Sequence, residues 1–256
     1  GMGGVNVEDK VATRGHPSYL WRAGQERRFQ LVRQWAKLHN RRVLDAGCGV
    51  GMYTQAFLRH TPRVFGVEIE HERALEAQGR ATGVCQAAGE RLPFPDATFD
   101  VVFSHEVLEH VEDDRVCVEE MVRVARPGGR LVIFVPNRLY PFETHGIFWR
   151  GQYRFGNVPL INWLPTPLRD RLAPHVRAYT SRDLHRLFEG LPVQTVHHTQ
   201  VYPGYDKIVA RTAALGSLLR SVTYALEGSP LRAFGLSHFL VVEKEKGFSE
   251  NPRRPG

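Results

Sequence analysis

An α/β fold built around a parallel sheet is what this sequence predicts, and three observations carry the prediction. Short apolar runs at residues 42–45, 64–69, 84–87, 99–104 and 130–135 are separated by stretches whose apolar residues recur at helical spacing. The first run ends in a turn with glycine at every second position: Gly47, Gly49 and Gly51. The run at 130–135 reads as a strand buried within the sheet. Strands separated by helices imply βαβ units and a doubly wound sheet.

The elements follow in order. Over residues 19–39, Leu20, Ala23, Phe29, Val32, Trp35, Ala36 and Leu38 fall at helical spacing, with a basic polar face opposite. Helices are expected over 52–59 and 70–80. Another over 111–125 is stopped by Arg126-Pro127-Gly128-Gly129. After Pro136 the order loosens: residues 138–178 scatter prolines and glycines among aromatics such as Trp149, Phe155 and Trp163. Thr180 or Ser181 caps a helix reaching residue 188. Residues 193–201 alternate as a strand, 215–226 form an apolar helix, and 238–243 a last strand. Residues 1–18 are expected to be a flexible lead-in and 247–256 a disordered tail. One domain is left over 19–246, with cap insertions at about 138–178 and 203–236.

Composition excludes several classes. A chain of 256 residues, 42% hydrophobic and 24% charged, can bury a full core without disulfides or a structural metal. Its three cysteines (Cys48, Cys85 and Cys117) form neither a disulfide framework nor a CxxC site, which suggests a reducing, cytoplasmic setting. No apolar run is long enough to span a bilayer, and no signal pattern opens the chain. The formal charge of +7 admits an anionic substrate, a membrane surface or nucleic acid as partner, and equally a solvated helix face. No Lys/Arg block has the density of a nucleic-acid tail.

The sharpest local signal is Val43-Leu44-Asp45-Ala46-Gly47-Cys48-Gly49-Val50-Gly51, a buried strand running through a glycine turn into a helix. Glycine there permits positive φ and removes the Cβ that would block a ligand, and the helix N-terminus suits a carboxylate. Dinucleotide binding wants G-x-G-x-x-G, but the third position after Gly49 is Met52. Asp45, two residues before the first glycine, would repel a pyrophosphate and attract an ammonium. Val64-Phe65-Gly66-Val67-Glu68 ends the second strand with an acid placed to accept ribose hydroxyls. An amino acid joined to a ribose outlines S-adenosylmethionine.

These residues resemble the first two motifs of class I S-adenosylmethionine-dependent methyltransferases. The stretch from Glu90-Arg91-Leu92-Pro93-Phe94 to Phe99-Asp100-Val101-Val102, then Ser104-His105-Glu106-Val107-Leu108-Glu109-His110-Val111, is similar to the branch that includes the ubiquinone and menaquinone biosynthetic methyltransferases. The resemblance covers residues 42–136 specifically. It implies a Rossmann-like, seven-stranded, mostly parallel sheet with helical cap insertions. It also implies S-adenosylmethionine as cofactor, held by Asp45, Gly47, Cys48, Gly49, Gly51, Glu68, Ile69, Gly89, Glu90, Leu92 and Ser104. One departure stands out: Ala88 lies where the family usually has the aspartate that takes the adenine amino group. The backbone of Gly89 and the side chain of Glu90 are then expected at adenine, with Leu92 packing on the ring.

Methyl transfer is an in-line displacement, so alignment of the acceptor is the main task, and an oxygen acceptor also loses a proton to a base. Two histidines in the loops after the fourth and fifth strands, His105 and His145, are the candidates, because a histidine with a pKa of ~6.5 suits that exchange. Glu143 is a lesser one. Glu106, Glu109 and His110 would share one face of a helical turn. Some ubiquinone-pathway relatives hold a divalent metal with such residues, while many carry the same letters without one, and no metal is assigned here. Residues 104–107 lack the Asn/Asp-Pro-Pro-aromatic stretch of DNA amino methyltransferases. The expected function is methylation of a small molecule, oxygen favoured, with an aromatic or anionic acceptor suited to the arginine-rich cap. An RNA or protein methyltransferase, or a non-catalytic S-adenosylmethionine-binding module, are the alternatives.

Overall fold

Strand residues that alternate between two apolar surroundings require a covering layer on each face of the sheet. In the computed structural model, which describes residues 20–247, the central strands do this residue by residue. Leu44, Val102, Leu131, Ile133, Leu240 and Val242 join one buried cluster with Val118, Met121 and Leu184. Their neighbours Val43, Val101, Phe103, Val132, Phe134 and Phe239 join the other with Phe29, Val32 and Phe57. The lead-in and tail expected for 1–18 and 247–256 lie, apart from Gly247, outside the described residues.

In chain order the elements begin with α1 (Ala23–Trp35), β1 (Val43–Ala46), α2 (Met52–Leu58), β2 (Val64–Glu68), α3 (His71–Ala77) and β3 (Gly83–Gln86). Next come β4 (Phe99–His105), α4 (Asp114–Val124) and β5 (Ala125–Pro136). The first insertion holds β6 (Phe142–Glu143), β7 (Ile147–Trp149), β8 (Gln152–Arg154), β9 (Val158–Pro159) and α5 (Thr166–Leu172). After it run α6 (Ser181–Arg186), β10 (Val193–Val201), α7 (Asp206–Arg211), α8 (Ala213–Leu226) and β11 (Ser237–Lys244). The seven-stranded sheet has the order β10-β11-β5-β4-β1-β2-β3. β11 runs antiparallel to both β5 and β10, so β10 points the same way as β5. Both insertions therefore leave the sheet at its carboxyl edge, where ligands of open α/β sheets lie.

Three expectations are corrected. Residues 106–113 are turns rather than helix, and α4 starts only where the Asp113 carboxylate accepts from Val116 N (3.0 Å). The first insertion is not chiefly helical: β6 pairs with β9 and β7 with β8, leaving α5 as its one α-helix. β5 begins at Ala125, earlier than expected, because Ala125 pairs with Phe99 before a register shift.

Buried polar groups tie the cap to the sheet. Arg169 donates to Glu143 Oε2 (2.8 Å) and to the Val176 carbonyl (2.8 Å), and both side chains are almost wholly enclosed. A histidine chain links α6, β10 and β11: His185 Nε2 meets His198 Nδ1 at 2.9 Å, and His198 Nε2 meets His238 Nδ1 at 3.0 Å. His238 Nε2–H donates to the Tyr179 carbonyl (2.8 Å), which fixes the direction of the chain. Burial pushes His198 down to about 3 and His238 to about 4, with neighbouring imidazoles adding to both. Unfolding frees these rings to take protons, so stability is expected to fall as pH drops from ~6.5 towards 4. Proton uptake on thermal unfolding at pH 5, larger than at pH 7.5, checks this by calorimetry.

Candidate active site

The turn after β1 is fixed to β2 by its own backbone. Gly47 N and Cys48 N donate to the Val67 carbonyl at 2.8 and 2.9 Å. Gly49 N donates to Glu68 Oε2 (2.9 Å), and Glu70 N donates to Glu68 Oε1 (3.0 Å). Glu68 is thus held in one orientation with lone pairs to spare.

The three glycines share positive φ (89°, 54° and 87°) but differ in what surrounds them. A Cβ on Gly47 would stand 2.4 Å from Val107 Cγ2, and one on Gly51 would meet Thr54 Oγ1 at 2.9 Å and the Ala77 backbone at 3.2 Å. Packing accounts for both. Gly49 faces open space, with nothing within 4 Å, and is the position at which a ligand can approach the backbone. Gly47→Ala is expected to destabilise the fold by about 2–4 kcal/mol, from steric overlap and backbone strain together. Gly49→Ala should cost about 1 kcal/mol of stability, from strain alone, and act mainly on ligand affinity. Denaturant melts and ligand titrations of the two variants separate these effects.

Asp45 is buried at the end of β1, and its Oδ2 has no partner among the described residues. Burial, and then the nearby Glu68 carboxylate, push its pKa up to about 8, with a backbone hydrogen bond from Thr54 partly offsetting them. A ligand ammonium placed there would relieve both effects. Ser104 Oγ, at the end of β4, is likewise buried without a partner. Two such orphans at the carboxyl ends of β1 and β4 fit the amino-acid end of the cofactor named above.

Other residues expected at the cofactor are placed differently. Cys48 turns its sulfur toward Gly66, leaving only backbone for a ligand. Ile69 is 47% exposed just beyond Glu68, open for an adenine ring to lie on. Glu90 is otherwise engaged: its Oε1 accepts from Glu112 N (2.9 Å) and Asp113 N (3.3 Å), holding the loop to the start of α4. Leu92 is a core residue, 4% exposed, rather than a face for adenine. Gly89 is half-buried in the loop after β3.

The candidate bases separate clearly. His105 Nε2 lies 2.9 Å from Arg28 Nη1, and since a guanidinium only donates, the imidazole lone pair is already taken. Burial, and then the Arg28 charge, push His105 down to about 3. It does not suit the role of base. Arg28 also donates to Glu106 Oε1 (2.9 Å) and Ser237 Oγ (2.9 Å), so α1 reaches into the site. In sequence Arg28 belongs to the basic face of α1, and nothing local distinguishes it from Arg27 beside it.

Glu106 has φ 53°, so the chain kinks there and the expected trio does not share a helix face. Glu106 pairs with Arg28 while staying beside Glu109, and Glu109 and His110 meet His145 from the first insertion. One ligand atom from each of these three lies within 4.8 Å of the others, a set able to hold a metal ion. Among the described residues, no donor reaches either buried Glu109 carboxyl oxygen, and the buried His110 Nδ1 has no partner. Burial and the adjoining Glu106 carboxylate push Glu109 well above the ordinary carboxylate range. Burial, and then His145, push His110 down to about 4.

His145 is positioned from behind. Its Nδ1 lies 3.1 Å from Glu143 Oε1, which also accepts from its backbone N–H (2.9 Å). Despite burial, those hydrogen bonds and the Arg169 charge keep Glu143 below the ordinary range. A carboxylate on Nδ1–H fixes the tautomer in which Nε2 carries the lone pair. Glu109, His110, Arg138, Arg169, His175 and Tyr179 line a cavity of about 710 Å³ between this turn and the cap. The arginines expected to greet an anionic acceptor are partly spent on structure: Arg138 donates to the Asn162 and Leu164 carbonyls, and Arg177 to those of Val111 and Glu112.

Sheet order and glycine turn together define the Rossmann-like fold of class I methyltransferases. A crystallised S-adenosylmethionine-dependent methyltransferase from Mesorhizobium loti superposes with a TM-score of 0.58 at 16% identity, over 84% of this chain and 97% of that one, a likeness of fold. Residues 44–133 match the family model described as a methyltransferase domain. A probable S-adenosylmethionine-dependent methyltransferase of Mycolicibacterium smegmatis is 37% identical over 101 residues, 39% of either chain. A malonyl-[acyl-carrier protein] O-methyltransferase of Erwinia billingiae is 32% identical over 123 residues, 46% of this chain and 49% of that one. The chain spans less than half the length of these curated relatives. The matched segment is a methyltransferase domain, and S-adenosylmethionine is the cofactor it implies.

Proposed function

We propose that the chain transfers the methyl group of S-adenosylmethionine to a small-molecule acceptor, with oxygen the favoured acceptor atom. The observation that carries this reading is the pair of buried carboxylates, Asp45 and Glu68, flanking the open backbone of Gly49. When bound, the cofactor supplies a methyl group already activated on a sulfonium. The protein orients it: Asp45 takes the ammonium, Glu68 the ribose hydroxyls, and Ile69 lies along the adenine. The acceptor enters from the cap, between the 106–110 turn and the first insertion. His145, held by Glu143, removes the acceptor proton as the new carbon–oxygen bond forms and the methyl–sulfur bond breaks, leaving S-adenosylhomocysteine.

Oxygen is favoured because a carboxylate-oriented histidine beside the end of β4 is what an alcohol or phenol needs; the Erwinia relative is by its name an O-methyltransferase. The resemblance of the Leu92-Pro93-Phe94 stretch to the ubiquinone and menaquinone branch supports a small-molecule acceptor, and an aromatic or anionic one fits the remaining cap arginines. Transfer of a labelled methyl group from the cofactor, screened over phenols, carboxylates, quinone precursors, RNA and protein, tests the proposal. Labelled product in a small-molecule fraction supports it. Label confined to RNA or protein, or cofactor binding with no product in any fraction, overturns it.

A further inference from the structure

The two insertions differ from the rest of the chain in both charge and surface. Together they hold ten basic and four acidic residues, so six of the chain's seven units of net positive charge reside there and the remainder is almost neutral. Among the described residues, thirteen of the sixteen large apolar side chains left exposed are also theirs. A water-facing surface normally avoids that combination.

The exposed apolar groups include a helix face in the second insertion and aromatic side chains in the first. In α8, Leu215, Leu218 and Val222 fall at i, i+3 and i+7, which places them on one helix face, and they are 50%, 61% and 49% exposed. The opposite side of the helix is the packed one. Gly216 lies against the Val209 backbone, Arg220 bonds the Gly204 carbonyl and Asp206, and Tyr224 sits beneath Arg27. An amphipathic helix in water turns its leucines inward; α8 turns three apolar residues outward. The first insertion adds Trp149, Phe155, Leu160 and Trp163, each 46–59% exposed. Trp163 touches Phe234 (ring centroids 6.3 Å apart), which joins the two insertions.

The charges at this surface are one-sided. Arg150, Arg154, Arg171, Lys207, Arg211 and Arg232 are exposed, against Asp170 as the exposed acid of the two insertions. Asp206 and Glu227 are taken by Arg220 and Arg27. Such a face repels a second copy of itself. The aliphatic stripe of α8, unlike the exposed aromatics of the first insertion, offers nothing to nucleic-acid bases, which require aromatic platforms or hydrogen bonds. Outward Leu and Val, tryptophans among them and a basic fringe are the pattern of a surface seated in a lipid headgroup region.

We propose that the two insertions dock the protein onto an anionic lipid bilayer, with the outer face of α8 and Trp149 and Trp163 inserted at the headgroup level. Both insertions stand on the carboxyl edge of the sheet, so docking would turn the acceptor entrance toward the membrane. The proposal concerns binding and stands whether or not methyl transfer occurs.

Flotation with vesicles of phosphatidylcholine alone, and of phosphatidylcholine with about one-third phosphatidylglycerol, tests it at low and at physiological salt. The protein is expected to float with the anionic vesicles and not with the neutral ones. Brominated acyl chains should quench its fluorescence, and Trp149→Phe/Trp163→Phe should abolish that quenching. Leu215→Gln/Leu218→Gln should lower partitioning about tenfold or more, and Lys207→Gln/Arg211→Gln about thirtyfold at low salt. Unchanged binding of S-adenosylhomocysteine shows that these variants are folded. Three results would overturn the proposal: no partitioning into anionic vesicles, equal partitioning of wild type and variants, or a dimer or RNA complex that Leu215→Gln/Leu218→Gln dissolves.

Discussion

His145→Ala is expected to lower the rate of methyl transfer by about 10²–10⁴-fold while leaving affinity for S-adenosylhomocysteine unchanged. Three side chains set this effect. Glu143, kept below the ordinary carboxylate range first by its hydrogen bonds with His145 and then by the almost wholly enclosed Arg169 at 2.8 Å, fixes the His145 ring from its Nδ1 side. The lone pair is left on Nε2, beside the turn that follows β4. Removing the imidazole removes the proton acceptor but no group in the cofactor turn. Glu143→Gln should give a smaller loss, because a glutamine amide can still orient the ring but does not stabilise its charged form. The rising limb of the pH–rate profile should vanish in His145→Ala, and added imidazole should restore part of the rate. A purely structural role would instead lower the melting temperature and show no rescue. A rate within threefold of wild type would remove His145 from the chemistry.

Glu68→Ala is expected to weaken S-adenosylhomocysteine binding by about 10²–10⁴-fold, the effect of losing two hydrogen bonds to a charged acceptor at roughly 1.5–3 kcal/mol each. The same carboxylate accepts from Gly49 N and Glu70 N, so its removal also loosens the turn that the ligand must meet. Glu68→Gln keeps an acceptor in place and should cost about tenfold. Asp45 adds a proton to the measurement. Its folded pKa of about 8 means that at pH 7 the carboxyl group is mostly protonated without ligand. An arriving ammonium favours the carboxylate, so binding should release up to about one proton, seen as a dependence of the heat on buffer ionisation enthalpy. Asp45→Asn should abolish that dependence.

Those two residues were legible from sequence because they belong to one local unit. The strand–turn–strand from Val43 to Glu68 is written in adjacent residues, and the acid before the glycines needs no tertiary contact to be read. The sheet was legible for the same reason: alternate residues of β4, β5 and β11 enter opposite core clusters, and that period of two is local. What escaped depends on distant residues or on backbone angles. Glu106 takes a positive φ without being glycine, so the helical turn expected through it does not form, and its acid lies between Arg28 and Glu109 rather than on one helix face with Glu109 and His110. His105 is disabled as a base by Arg28, 77 positions earlier. Gly47 and Gly51 read as ligand contacts, yet Val107 and Ala77 explain them, and only the fold shows that Gly49 alone is open. The short strands β6 to β9 carry too few residues for any period to show. Arg169 looked like one basic residue among many until it was seen buried against Glu143.

Titration calorimetry with S-adenosylhomocysteine, S-adenosylmethionine, NAD and ATP bears most directly on the claim that the bend at residues 45–51 receives an amino acid joined to a nucleoside. The account predicts saturable one-to-one binding of the first two, with adenosine or homocysteine alone weaker by at least about tenfold, and no heat from NAD or ATP. Tight binding of NAD or ATP, with neither sulfur compound bound, would contradict it.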